Sequence, residues 1–192
     1  MPDVTPAMAP EELAEVAAST SRHARAFVAT VAEVASGRAV DAAIPLLLLA
    51  TSDLLAAGAR LGAMVDVVPS ERFEPDCGPD LDLDPLRTAL ARILDGLDGY
   101  VEVVDPVLGP ETGQASLSAD LATVADALTQ GIAHDDAGDH VEALWWWQFS
   151  YLSSWGERAS SALRMLQLLL AHLRLDVDDD VAAEAEYDAL QP

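Results

Sequence analysis

Five side chains of metal-ligating type crowd one short stretch: His134, Asp135, Asp136, Asp139 and His140. Such groups hold zinc and other divalent cations when their spacing is right. Here the spacing matches no recognised ligand pattern, and a helix start after Gly138 favours acids without any metal. They read as a solvated turn. Asp80, Asp82 and Asp84 alternate like the first ligands of a calcium loop. Such a loop then needs Gly at its sixth position and Glu at its twelfth, which are Pro85 and Ala91 in this chain. Cys77, the single cysteine, lies among Glu74, Asp76 and Asp80, whose charge opposes a reactive thiolate. His23 borders an apolar helix stripe and reads as a packed histidine. His172 sits near a helix C-terminus, where a cation is favoured. No Ser-centred elbow, phosphate-cradling glycine loop or dinucleotide fingerprint occurs. The sequence predicts no catalytic residue, no cofactor and no metal site.

The aromatic run is the other candidate. At about 100° per residue, a helix with Trp145 as its origin gathers Val141, Leu152, Ala159, Leu163, Leu166 and Leu170 on one side. Trp155 and Leu173 lie just beyond on that side, and this is the expected core stripe. Trp146 falls on the other side with Ser150, Ser153, Glu157 and Arg164, and Trp147 lies nearby with Ser154 and Ser161. That lane is the possible groove or interface. It reads either as a binding groove or as a second buried face where serines admit another helix, the second being the commoner arrangement in a long buried helix. Arg158 and Arg164 would then need acidic partners from other helices.

The elements that must position these residues are helical. Leu13, Val16, Thr20, Ala24, Phe27, Val31 and Val34 recur at spacings of three and four from Pro10, and Gly37 ends the first helix. A second runs from about Asp41 to Met64. It is apolar nearly all round, so it is expected to be central, and Gly58 with Gly62 marks a close crossing. Asp84-Pro85 opens a third helix as cap and first position, carried by Leu86, Leu90, Ile93, Leu97, Val101 and Val104 to just before Pro106. Ser116 or Ser118 caps the fourth, with Leu117, Leu121, Val124, Leu128 and Ile132 along it. Gly138 closes that helix and Asp139 with Glu142 opens the fifth at once, which runs to about Leu173. No strand alternation of useful length is visible. The expected fold is all-α, about five helices in a bundle-like array, with helices four and five as a tight antiparallel hairpin. Residues 1–9 read as a flexible tail, 10–173 as one helical domain, and 174–192 as a frayed acidic tail.

Charge narrows the partners. The 192 residues hold 33 Asp plus Glu against ten Arg and no Lys, a formal net charge of -23. Phosphate repels such a surface, which argues against nucleic acid and anionic membranes as direct partners. Between Arg92 and Arg158 there are twelve acids and no Arg or Lys, with Asp120 and Asp126 expected among the solvated ones. Hydrophobic residues at 51% suffice for a core. No basic segment precedes an apolar run at the N-terminus, and the apolar stretch Ala42–Ala50 falls short of the roughly 18 to 20 residues of a membrane span. A cytoplasmic location is expected.

From Tyr100 to Leu166 the chain resembles a bacterial all-helical domain family of unknown function. The residues that carry the likeness are Tyr100, Asp105-Pro106, Ser116-Leu117-Ser118-Ala119-Asp120-Leu121, Gly131, Gly138 and Glu142-Ala143. They continue through Trp145 to Trp147, Phe149-Ser150, Trp155-Gly156 and Ala162-Leu163. In that family a histidine usually precedes the Trp-Gly pair and another follows two residues after the glycine; here those positions hold Ser154 and Arg158. The resemblance implies a helical fold without a known activity, and implies that any chemistry of those histidines is absent here. Leu128, Gly131, Ala137-Gly138-Asp139 and Glu142-Ala143 are also similar to the turn of a tetratricopeptide repeat. No second copy follows at a 34-residue period, so one helical hairpin is implied. The functional expectation is a non-catalytic protein–protein interaction or adaptor domain, monomeric or weakly dimeric, with a basic protein partner. The alternative is a small-ligand-binding or enzymatic domain using a groove beside Trp146 and Trp147.

Overall fold

The computed structural model describes residues 9–69, 82–105 and 107–175. Most of the N-terminal tail, the acidic tail from residue 176, Cys77 and Asp80 lie outside the described residues. Helix α1 spans Pro10–Ala35 and buries the predicted stripe, with Phe27, Val31 and Val34 fully interior. A single 3-10 turn, Val40–Ala42, leads into α2 at Ala43–Ala63. Pro45 sits in its first turn, where no N–H is required. The inner side of α2 is Ile44, Leu47, Leu54 and Leu61. Leu49, on the far side, is 63% exposed. The expectation of a central helix is therefore corrected: α2 is apolar all round but covered on one side. Val40–Ala63 is also longer than the Ala42–Ala50 run suggested, and reaches the length and apolar content of a membrane span. Here it packs on α1, α6 and α5.

Helix α3 covers Asp84–Ile93 and stops there, earlier than expected. Gly96 takes a positive φ of 78°, and strand β1 follows at Gly99–Val103. It pairs antiparallel with β2 at Thr112–Ser116, Gly99 opposite Ser116 and Val103 opposite Thr112. The helical reading of Val101 and Val104 is overturned. These positions fit a 3.6-residue stripe by coincidence, whereas β-branched valines one and two apart favour an extended chain. Of the strand residues only Tyr100 turns into the core.

Ser116 caps α4 (Leu117–Ala137), its hydroxyl accepting the Ala119 N–H at 3.3 Å. Gly138 ends it in the left-handed region, φ 89°. Helix α5 (His140–Ser150) begins at once, so the tight α4–α5 hairpin is present as expected. Asp139 occupies the cap position of α5 but makes no side-chain cap bond. A π-turn, Tyr151–Trp155, joins α5 to α6 at Gly156–Leu175. The fold is thus a five-helix all-α bundle, its fifth helix being α5, the π-turn and α6 in succession, plus one small hairpin.

That π-turn explains the second correction. The buried residues of α5 are Ala143, Leu144, Trp147, Gln148 and Ser150, while Val141 and Leu152 of the predicted core stripe are exposed. From the end of the π-turn onward the stripe is met in part: Trp155, Ala159 and Leu166 are interior, Leu163 and Leu170 half-buried, and Leu173 exposed. One residue inserted by a π-turn rotates the upstream face by about 100° against the downstream face. A single uninterrupted period cannot describe both.

Candidate functional site

Three clusters stand out, and the first was not foreseen. Tyr100 of β1 reaches under the bundle and donates its hydroxyl to Asp120 Oδ2 at 2.5 Å. Arg158 of α6 donates to Asp120 Oδ1 at 2.9 Å. Asp120 is 2% exposed, so it is not on the solvated face expected for it. Burial is the largest influence on its carboxyl and pushes it above the ordinary range; the bonds from Tyr100 and Arg158 pull it back without cancelling that push. Burial likewise drives the Tyr100 hydroxyl well above its usual range, reinforced by the bond to Asp120. Arg158 finds the acidic partner it was expected to need, and Arg164 lies exposed. Beside this cluster, Asp98 accepts both the N–H and the hydroxyl of Ser118 at 2.7 Å, which fixes the hairpin to the start of α4. Arg158 stands where the resemblance places a histidine, and a histidine there would face the same Tyr100–Asp120 pair.

The second cluster is the crowd of metal-ligating residue types at the α4–α5 turn. Asp135 accepts from Ser21 at 2.6 Å, from Arg25 at 3.0 Å, and pairs with His140 Nδ1 at 2.8 Å. Arg25 also binds Asp136 at 2.7 Å. Burial opposes ionisation of Asp135, but the bonds from Ser21, His140 and Arg25 outweigh it and hold the carboxyl below its usual range. The group is a knot tying α1 to the α4–α5 turn. His134 is not part of a solvated turn but is buried. Among the described residues no three His, Cys, Asp or Glu side chains converge as metal ligands.

The third cluster is aromatic. Trp147 is fully buried, its indole N–H donating to the Leu128 carbonyl at 3.2 Å. It can lie there because Gly131 has no side chain: a Cβ at that position would stand 2.0 Å from Trp147 Nε1. Trp155 fits against Gly58 in the same way, where a Cβ would come within 2.5 Å of the ring. The close crossing predicted at Gly58 and Gly62 therefore admits the rings of Trp155 and Tyr151. Trp146 is half-buried and tethered by its indole N–H to the Ala127 carbonyl at 2.7 Å. Trp145 stacks on Phe149 with centroids 5.6 Å apart and an 11° tilt, and Phe149 is 51% exposed. Of the six lane residues, Trp147 and Ser150 are interior, Trp146 is half-buried, and Ser153, Glu157 and Arg164 are exposed. Gln148, which sequence reasoning passed over, is buried. Its amide donates to the Leu61 carbonyl and accepts the Val67 N–H, both at 2.8 Å, holding the chain beyond α2 against α5.

A family model described as a domain of unknown function, DUF5063, matches residues 11–172. The crystal structure of protein BF1032 from Bacteroides fragilis, a structural genomics target, is similar in fold. Its TM-score is 0.65 at 16% identity, with 84% of this chain and 93% of that chain covered. No curated protein matches the chain.

Proposed function

The chain belongs to the DUF5063 family, a domain of unknown function, and from that premise we propose that it is a non-catalytic interaction domain whose α5 aromatic face receives a basic protein. The observation that carries this reading is the stacked, half-open Trp145–Phe149 pair. Trp146 is anchored beside it, and Leu152 continues the apolar surface at 63% exposure. Rigid aromatics of this kind concentrate binding energy and accept cations on their faces. Glu142 lies one turn ahead of Trp145 and Trp146, in a stretch that holds no Arg or Lys between Arg92 and Arg158. A net charge of -23 steers a basic partner from a distance. The alternative, a ligand groove beside Trp146 and Trp147, is less well supported, since Trp147 and Ser150 belong to the interior.

An arginine-bearing amphipathic peptide, titrated against the full chain and followed by tryptophan fluorescence, tests the proposal. Phe149→Ala should weaken binding about tenfold. Glu142→Gln and Asp139→Asn should slow association, and the rate should fall as added salt shrinks the Debye length from roughly 10 Å at 0.1 M to about 3 Å at 1 M. Neutralising the tail acids Asp178, Asp179 and Asp180 should matter less. A flat or rising salt profile eliminates the electrostatic model, and points to an apolar contact strengthened by salt.

A further inference from the structure

On the opposite side of α2 from its core face, α1 and α2 leave a groove of about 390 Å³. Its floor and walls are Ala26, Phe27, Leu46 and Leu49, and one end carries Arg22 and Asp53. Only 39% of the most apolar stretch of α2 is buried, and Leu49, which lines the groove, is 63% exposed. Leaving a large aliphatic side chain in water forgoes the favourable transfer of its apolar area, so such a face favours a cover.

We propose that the cover is a second copy of this chain, packed groove to groove about a two-fold axis running along the groove. Charge selects this occupant. On a molecule with 33 acids, α2 carries one acid, Asp53, and one base, Arg60. Between Glu15 and Glu33, α1 has no acid and two arginines. Over these stretches two strongly acidic molecules can approach with little added repulsion.

Geometry adds a second reason. Arg22 on α1 and Asp53 on α2 both line the groove, at the same end of it, and neither makes an ion pair among the described residues. A two-fold along the groove lays α1 of one copy over α2 of the other. Arg22 then meets the partner's Asp53, twice by symmetry. Leu49 likewise comes over the partner's Ala26, a small and exposed side chain. A purely basic or purely acidic foreign segment laid over that end would satisfy one of these two side chains and oppose the other.

Sedimentation equilibrium of the full chain decides the matter. The expected species is twice 20.3 kDa, and self-association strengthens with salt as repulsion between the two net charges is screened. This is opposite to the salt response expected for the basic partner. Leu49→Glu, and independently Ala26→Arg at an exposed position, should weaken pairing about tenfold or more with the helical far-UV spectrum unchanged. Arg22→Asp and Asp53→Arg should each weaken it, and the double exchange should restore it, a rescue that mere structural damage does not give. A species of 20.3 kDa at every concentration and salt overturns the proposal. So does a dimer indifferent to both Leu49→Glu and Ala26→Arg. Leu49-dependent binding to phosphatidylcholine vesicles in place of pairing overturns it in favour of a lipid surface.

Discussion

Asp120 and Asp135 sit in the first and last turns of the same helix, α4, and each binds one hydroxyl and one arginine. Their carboxyls nevertheless move in opposite directions, Asp120 upward and Asp135 downward. The helix dipole does not explain this. It favours an anion at the N-terminus, where Asp120 lies, and disfavours one at the C-terminus, where Asp135 lies, by about 0.3 to 1 kcal/mol. Both shifts run against it. The deciding difference is water: the Asp120 side chain is 3% exposed and that of Asp135 14%, and Asp135 has a third donor in His140. Desolvation rises steeply as the last solvent is excluded, and hydrogen bonds must be numerous to offset it. One end of α4 is a strained anion held inside; the other is a satisfied anion at the rim.

The largest perturbation strikes the span between the two ends. Gly131→Ala drives a methyl into the Trp147 indole, and should cost about 3 kcal/mol or more as α5 is pushed from α4. Trp147→Ala should cost about 3 to 5 kcal/mol by leaving a cavity at the same contact. Denaturant titration of both, read against wild type, tells whether the ends of α4 are held by one packed seam. Losses below about 1 kcal/mol for either would mean that they are independent.

Next comes Arg158→Ala, which leaves Asp120 buried with only Tyr100. At neutral pH it should cost about 2 kcal/mol, since Arg158 is partly hydrated at 47% exposure. The cost should shrink on acidification, because a protonated Asp120 needs no cation. A loss independent of pH would assign Arg158 a packing role only.

Asp120→Asn sharpens the sign. A carboxyl raised in the folded state keeps its proton longer than in the unfolded chain, so stability falls as pH climbs from the ordinary value of 3.8 through the folded one, and is flat above. Replacing Asp120 by Asn should remove that decline and change stability little at low pH. For Asp135 the sign is reversed. Its lowered carboxyl contributes stability above about 3.8, lost as pH falls through the folded value, and Asp135→Asn should delete that acid-side loss. Stability curves of the two variants that bend the same way would refute the contrast.

The smallest effect is at the rim. Arg25→Ala should cost about 0.5 to 1 kcal/mol and less in high salt, because Arg25 is 43% exposed and its pairs with Asp135 and Asp136 are screened. A larger, salt-independent cost would show that this knot is as internal as the Asp120 site.

The helices themselves were legible in the order of residues. Periodicity placed Phe27, Val31 and Val34 inside α1, and Leu117, Leu121 and Leu128 inside α4. Gly138 announced the hairpin between α4 and α5. These are local matters: an apolar stripe of period 3.6 and a residue free to take a positive φ act within a few positions of themselves. A buried second face would require acids for both Arg158 and Arg164; Arg158 pairs with Asp120 while itself 47% exposed, and Arg164 lies exposed. What tertiary structure decided is everything that depends on distance through space. The valines after Gly99 are a strand because Thr112–Ser116 comes alongside to pair with them. The phase of α5 is turned by a π-turn, one residue whose insertion leaves no sign in the hydrophobic pattern. Asp120 looks like any of the twelve acids between Arg92 and Arg158, and only the convergence of β1, α4 and α6 makes it a buried, paired group. Desolvation belongs to a place in the fold, and no residue carries it in its own type.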